Sequence, residues 1–314
     1  MKYIFGPVNS RRLGISLGID LIPYKTCTFD CVYCECGITT DHTDIVREYV
    51  PTDEVIQELD DYLSKHPRLD AVTFAGSGEP TLHSGIGRII DFLKKSYPQY
   101  RVVILTNGSL FCNFEIRARV TKADIIIPSL DAASDRVFRE INRPLKGVTV
   151  NDLLEGLKHL RAEYHGMLLL EIFIIPGAND TEEELGLLRD ACRDIKPDGI
   201  QLNSLDRPGT ENWVESAGFE AMEYVKSFFS EYPVEVLGKP LKQNRRGATP
   251  DNIRRVIVST LERRPSTFED LVSTTGAGDL RIQEVLDAML KDGEVEKKVM
   301  ERGEFIVLKK KRNC

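Results

Sequence analysis

The residues best suited to chemistry in this chain are three cysteines within eight positions. Cys27-Thr28-Phe29-Asp30-Cys31-Val32-Tyr33-Cys34 has the spacing C-x3-C-x2-C. Thiolates at close spacing suit an iron–sulfur cluster or zinc. A loop this compact can wrap three corners of a four-iron cubane and leave the fourth iron open to a chelating ligand. The competing reading is a structural zinc loop. Zinc usually takes four ligands with C-x2-C spacing, and Cys36 stands ready as a fourth. Cys112, Cys192 and Cys314 are scattered and read as idle or buried thiols. Seven cysteines is an odd number, and Met1–Pro7 loses its apolar character too early for an export signal. Disulfides in a reducing cytosol are the weaker reading, and metal binding is the stronger. The five histidines form no i, i+4 ligand pair.

Other polar residues follow short apolar runs. Gly76-Ser77-Gly78-Glu79-Pro80 places two glycines and an acceptor together. Glycine lets backbone approach a ligand closely, and Glu79 can accept from an ammonium group. The bland reading is a turn. Thr106-Asn107-Gly108 and Ser129-Leu130-Asp131 come next, with Arg143 beyond them as a bidentate partner for a carboxylate. An Asn-Gly turn, an Asp cap and a solvated arginine are the bland versions. Glu171 interrupts an apolar strand and needs a partner there, and Asn203 ends another strand. Both are candidates to face a substrate. Lys25, two residues before the first cysteine, either steers anions or is a loop lysine.

These residues need a scaffold, and the chain's alternation supplies one. Strands are expected at Gly14–Asp20, Ala71–Ala75, Val102–Thr106, Ile125–Ser129, Leu168–Ile174 and Gly199–Ser204. Their Ile, Val and Leu content suits parallel strands. Helical patterns lie near 53–65, 85–96, 113–121, 150–164, 180–195 and 217–231, with Thr149 and Thr181 as caps. Thr181 and Glu184 have capping-box spacing. Alternating βαβα predicts a parallel sheet with right-handed crossovers, either doubly wound or a partial barrel. Six units fall short of a full barrel's eight, and both arrangements put reactive loops at the strands' C-terminal ends.

With these motifs in place, the chain resembles the radical S-adenosylmethionine (SAM) superfamily over about residues 10–240. The resemblance implies an α/β partial (β/α)6 TIM-like barrel with a [4Fe–4S] cluster on Cys27, Cys31 and Cys34. It implies that SAM sits on the open iron and is reductively cleaved to a 5′-deoxyadenosyl radical. Tyr33, between the second and third cysteines, then touches the adenine. Gly76, Ser77, Gly78 and Glu79 take the methionine amino group, although Ser77 departs from the superfamily's glycine-glycine-glutamate pattern. Asn107, Ser129, Asp131 and Arg143 complete the SAM contacts. An electron donor such as flavodoxin or ferredoxin is implied as a partner. Phe5-Gly6-Pro7-Val8-Asn9-Ser10-Arg11-Arg12-Leu13-Gly14, with Lys25-Thr26-Cys27, is similar to an iron–sulfur oxidoreductase branch grouped with the tRNA wybutosine (4-demethylwyosine) synthases. Those enzymes carry extra cluster cysteines ahead of the main motif, and residues 1–26 here contain none.

Gln243–Pro250 reads as a polar linker, so domains are expected at 1–242 and 249–314. Beyond it, helical patterns at 251–263, 267–274 and 278–291 precede strands Val295–Met300 and Phe305–Leu308. That order is the layout of a small winged helix. Its candidate recognition helix, 278–291, mixes Asp279, Glu284 and Asp287 with Arg281 and Lys291, which suits a phosphate groove poorly. Lys297, Lys298 and Arg302 make the wing more basic. A protein- or substrate-docking role is expected over DNA regulation, with protein or RNA as the partner. The alternative function is a redox-sensing nucleic-acid-binding regulator, in which the nucleotide loops have no purpose. The net charge of −7 excludes a basic field over the whole protein. No apolar run approaches the ~18–20 residues of a membrane span. The expected location is cytoplasmic.

Overall fold

The computed structural model describes residues 1–10, 12–237, 253–262, 264–275, 277–300 and 303–309. The chain opens with β1 (Ile4–Ser10), β2 (Gly14–Ile19) and the short pair β3 (Thr26–Cys27) and β4 (Asp41–His42). Helices and strands then alternate: α1 (Thr52–Leu63), β5 (Ala71–Phe74), α2 (Ile86–Ser96), β6 (Arg101–Thr106), α3 (Phe114–Val120) and β7 (Ile125–Pro128). Next come α4 (Asp135–Ile141), α5 (Val150–Glu163), β8 (Met167–Ile174), α6 (Glu182–Ile195), β9 (Gly199–Ser204), α7 (Phe219–Phe228) and β10 (Val234–Val236). The sheet order is β1-β2-β5-β6-β7-β8-β9-β10. All neighbours are parallel except β1, which is antiparallel to β2.

The six expected strands are present. β1, β10 and α4 were not expected, and each lacks a strong periodic signal. β1 carries Gly6 and Pro7, residues that read as loop. β10 has three residues, and α4 has seven.

The two faces of the sheet differ. Leu168, Leu170, Ile172 and Ile174 of β8 join Val55, Leu59, Ile89, Leu157, Leu188 and other helix residues in the main apolar core. Alternate strand residues point the other way. There a smaller cluster of Leu13, Ala71, Val103, Ile125 and Ile127, flanked by Leu105 and Leu169, draws on no helix. A doubly wound sheet would have helices on both faces. This sheet has a helix-covered face and an inner face whose buried apolar residues come from strands and the β1–β2 turn.

Capping follows the sequence at α5, where Thr149 and Asp152 bond reciprocally as a capping box. At α6 only half of the expected box forms. Thr181 accepts from the Glu184 N–H, but the Glu184 carboxylate accepts from the Ala133 and Ser134 N–H groups instead. The loop before α4 offers it unpaired donors, and that outweighs the local pairing.

The C-terminal residues form a module with its own core. α8 (Ile253–Leu261), β11 (Ser266–Thr267), α9 (Phe268–Thr275), α10 (Asp279–Lys291), β12 (Val295–Met300) and β13 (Gly303–Leu308) follow in order. The strands pair as β11-β13-β12. Ile257, Leu271, Ile282, Leu286 and Met289 are buried together. The helices and hairpin lie where expected, and β11 is additional. The expected linker and the boundaries at 242 and 249 lie outside the described residues, as do Arg302 and Cys314.

Candidate active site

The three-cysteine segment leaves the C-terminal end of β2 and is gripped from several sides. Its spacer residues explain the grip. Phe29 and Val32 are buried in the main core, with the Phe29 ring edge-on to Phe138 at 5.3 Å. Their anchoring fixes the turns that carry the cysteines. The Val32 carbonyl accepts from Thr210 Oγ1 at 2.7 Å, and the Val32 N–H donates to the Ile141 carbonyl at 2.9 Å. Lys25 N–H donates to the Ser77 carbonyl at 2.9 Å, and Glu79 N–H to the Thr26 carbonyl at 3.2 Å. The loop after β5 is thereby stitched to the cysteine loop.

Cys27, Cys31 and Cys34 are all free thiols. Each sulfur meets a nitrogen donor from a side chain. Asn107 Nδ2 lies 3.5 Å from Cys27 Sγ, Asn142 Nδ2 lies 3.6 Å from Cys31 Sγ, and Lys25 Nζ lies 3.1 Å from Cys34 Sγ. Cys36 Sγ donates to the Gly76 carbonyl at 3.4 Å. Burial pushes the Cys27 thiol up to about 12 and Cys31 well above its usual range. Cys34 is held down to about 5, first by a hydrogen bond from Cys36 and then by the Lys25 ammonium. Burial alone would lower Lys25, but the neighbouring Cys34 thiolate outweighs it and raises the ammonium.

The donor set fits a cluster. Among the described residues no three His, Cys, Asp or Glu side chains converge closely enough to hold one ion. A cubane does not require that, because each thiolate takes its own iron. Asn142 Oδ1, beside Cys31, is buried with no partner among the described residues, an orphaned polar atom at the edge of the site.

The nucleotide candidates gather at the C-terminal ends of β5, β6 and β7, but several are already engaged by protein. The Glu79 carboxylate is buried. It accepts from Thr81 N–H (3.0 Å), Thr81 Oγ1 (2.6 Å), Thr106 Oγ1 (2.6 Å) and Asn107 N–H (2.7 Å). It ties the β5 loop to the β6 loop. Asn107 gives its amide to Thr28 Oγ1 at 2.7 Å as well as to Cys27. Asp131 accepts from Tyr33 Oη, Asn142 Nδ2 at 2.7 Å and Phe173 N–H at 2.8 Å. Burial raises both Glu79 and Asp131 despite these bonds. The Tyr33 ring stacks on Phe173 with centroids 3.9 Å apart. Ser129 forms a parallel bridge with Glu171. Arg143 is bound to Glu211 at 2.7 Å.

The two glycines are required by the protein itself. A Cβ on Gly78 would lie 2.0 Å from the Thr26 carbonyl oxygen, and one on Gly76, at φ +146°, would lie 2.3 Å from the Asp20 carboxyl carbon. Ser77 Oγ donates to that same carboxylate at 2.7 Å.

On the inner face, Glu171 has the partner that its burial demands. Arg12, from the turn between β1 and β2, ion-pairs with it, and Asn203 Nδ2 donates to it at 3.1 Å. Sequence reasoning named Glu171 and Asn203 but missed Arg12, Asn142 and Arg207. Arg12 lay in a quoted N-terminal motif whose role has no spacing signal. Arg207 is 2% exposed and pairs with Glu35 of the cysteine loop at 3.4 Å and Asp270 of α9 at 3.2 Å. Next to this junction a cleft of about 900 Å³ runs between core and module, lined in part by Cys36, Gly37, Gly209, Arg264 and Lys298.

Residues 21–188 match the model of the radical SAM superfamily. A protein named GTPase Obg from Brachyspira hyodysenteriae is 34% identical over 300 residues, 95% of this chain but 44% of that protein. A UPF0026 protein from Methanocaldococcus jannaschii is 31% identical over 245 residues, 76% of each. Among solved structures, a radical SAM methyltransferase from Sphaerobacter thermophilus aligns with TM-score 0.54 at 14% identity, covering 70% of this chain and 66% of that one. Streptococcus suis SuiB, bound to its precursor peptide SuiA, aligns with TM-score 0.54 at 15% identity, covering 74% of this chain and 53% of that one. These structures share the fold. The family match covers the cysteine loop and the strand-end loops after β5, β6 and β7 that surround it: the chain belongs to the radical SAM superfamily of enzymes.

Proposed function

We propose that the chain folds as a partial (β/α) barrel, residues 1–242, with a winged-helix-like module, residues 249–314. In this reading Cys27, Cys31 and Cys34 ligate a [4Fe–4S] cluster and the strand-end loops bind SAM. The observation that carries it is the cysteine loop itself: three sulfurs on one anchored loop, each met by a separate polar donor. A cluster held by these cysteines would supply the one-electron chemistry that reductively cleaves SAM, and the residues at the strand ends would hold SAM and substrate for hydrogen abstraction.

The chain's own residues divide the remaining work. Glu79 and Asp131 hold loops in place and fix Asn107 and Tyr33. The side chain of Ser129 is left for SAM, whereas the Gly76 and Ser77 carbonyls already accept from Cys36 and Lys25 and the Ser77 N–H donates to Asp20. Arg143 would have to exchange Glu211 for a SAM carboxylate. Arg12, Glu171 and Asn203 give the inner face a charged layer above the apolar floor of Leu13, Ala71, Val103 and Ile125. A buried ion pair rarely adds net stability over apolar packing. Its place on the inner face supports contact with a polar substrate, carried by RNA or protein that docks on the module. The regulator reading has less support. The matched family is one of enzymes, and Lys297 on the wing is already paired with Glu304 at 2.7 Å.

Anaerobic reconstitution tests the proposal. The protein should bind close to four irons, show a cluster EPR signal on reduction, and release 5′-deoxyadenosine from SAM. A chain that instead binds one zinc, lost in the Cys36→Ala variant, would replace this reading with the zinc loop.

A further inference from the structure

Besides the Cys36 thiol at Cys34, the nitrogen donors around the three sulfurs come from three separate places and differ in charge. Asn107 follows β6 and Asn142 caps α4, and both are neutral amides. Lys25 is a cation, and its Nζ is the nearest of the three, 3.1 Å from Cys34 Sγ. Lys25 is 2% exposed, an unusual state for a lysine. Its backbone is held on both sides. The N–H donates to the Ser77 carbonyl at 2.9 Å, and its carbonyl accepts from Thr40 and Asp41 N–H at 2.9 and 3.0 Å. Its φ of +55° is a conformation that a lysine rarely adopts. Three features that each cost free energy coincide: a dry cation, a left-handed backbone and a long side chain held in one geometry. A surface lysine in the same loop would avoid all of them.

We propose that Lys25 sets the reduction potential of the cluster by holding its ammonium against the Cys34 sulfur, making the cluster easier to reduce. This rests on the reading that these cysteines carry a cluster. In the chain as described, Cys34 Sγ stands for the ligand sulfur. Ligation would use one lone pair of that sulfur and leave others able to accept from a donor such as Nζ. Net charge and hydrogen bonds to the sulfurs are among the features that set cluster potentials. Reduction adds one electron, taken from a low-potential donor such as reduced flavodoxin, ferredoxin or dithionite. The added negative charge is stabilised by a fixed positive charge nearby. The step is an electron transfer with no proton transfer. Asn107 and Asn142 donate to Cys27 and Cys31 as neutral groups at 3.5 and 3.6 Å, so they act in the same direction but less. The charge therefore bears on the Cys34 corner of the cluster.

The test is an EPR-monitored redox titration of the reconstituted full chain without SAM, at matched iron and sulfide content. Lys25→Met should lower the reduction equilibrium constant at least tenfold, about 59 mV more negative for a one-electron couple. Lys25→Arg, which keeps the charge, should recover most of that shift. If Lys25→Met fails to load iron, Lys25→Gln against Lys25→Arg makes the same comparison, and equal midpoints overturn the proposal. So does an unchanged midpoint in loaded Lys25→Met. A variant with the wild-type midpoint that loses the SAM-induced change in the EPR signal would make Lys25 a nucleotide ligand and also overturn it. Failure of the wild-type chain to assemble any cluster would instead strike the cysteine assignment.

Discussion

The cysteine loop and the C-terminal module satisfy their polar groups in opposite ways. Around the loop, polar side chains are buried and bonded in chains that cross between strands. Asn107 reaches Thr28, Thr28 meets Ser109 at 2.7 Å, and Ser109 returns to Asn107 at 2.7 Å. The module does the reverse. Its core is almost wholly apolar, and ion pairs such as Arg254 with Asp292 and Lys297 with Glu304 lie at its surface with each side chain roughly half exposed. A buried network is costly unless every member is satisfied, so it holds one geometry. Exposed ion pairs contribute little and leave a surface free to meet partners. Under the proposed function, the loop's organisation suits a fixed group of defined shape and the module's surface suits a docking face. Arg207 joins the two: it is a buried cation facing acids from both.

The sharpest way to break this contrast is to remove ligands from the organised side. Cys27→Ala, Cys31→Ala or Cys34→Ala should each abolish cluster assembly, read as loss of bound iron and of visible absorbance. Cys112→Ala and Cys192→Ala should leave iron content unchanged, since Cys112 is exposed and Cys192 is buried in the main core. Iron that persists without Cys34 but needs Cys36 would move the ligand set by two residues.

The glycines come next. From the sequence, Gly76 and Gly78 read as space for a ligand, and valine there would be expected to spare the cluster and weaken SAM binding. The structure gives Gly78 a different duty. Its missing Cβ makes room for the Thr26 carbonyl, one residue from Cys27. Gly78→Val should therefore displace the cysteine loop and reduce iron loading severalfold. Gly76→Val, facing the Asp20 carboxylate, should also impair loading. Iron loading equal to wild type with weakened SAM binding in both variants would restore the ligand-space reading.

This difference marks what the sequence could reveal. The C-x3-C-x2-C spacing is local, so the cysteine loop and its place after β2 were legible. Strands such as Val102–Thr106 were legible because buried parallel strands are continuous apolar runs. Glu171 was legible as an oddity, since a carboxylate in an apolar strand breaks the pattern. Its partner was not, because Arg12 is 159 residues away. Glu79 was read as a ligand acceptor, whereas Thr81, Thr106 and Asn107 occupy much of its hydrogen-bonding capacity. Residue type sets what a side chain can do, and only packing decides which neighbours engage it.

The junction offers a milder test. Truncation after Arg246 should leave a folded, cluster-bearing core, since the module buries its own apolar cluster. Truncation also strips Asp270 from Arg207. Breaking one partner of a buried pair costs about 3–5 kcal/mol, and Glu35 and Asp206 remain to soften that here. The truncated core should melt several degrees below the full chain, and Asp270→Asn in the full chain should reproduce part of the loss. Insoluble truncated protein would show that the module completes the core.

The smallest effect concerns nucleic acid at the wing. Binding to phosphates releases counterions, and log K falls against log salt with a slope near −0.9 per phosphate contacted. Of the described wing lysines, Lys297 is paired with Glu304, and Lys298 lines the cleft beside Glu296. α10 adds Arg281 and Lys291 but also Asp279, Glu284 and Asp287. Such a surface can neutralise few phosphates. Mobility-shift titrations of the full chain with a generic RNA stem-loop should thus show weak binding and a slope no steeper than about −2. Lys297→Ala with Lys298→Ala should reduce the slope by at most about 2. A protein partner at the same face would be insensitive to these terms. A slope near −5, eased by about 2 in the double variant, would show that the wing forms part of a phosphate-binding surface after all, and the contrast between an organised loop and an uncommitted module would no longer hold.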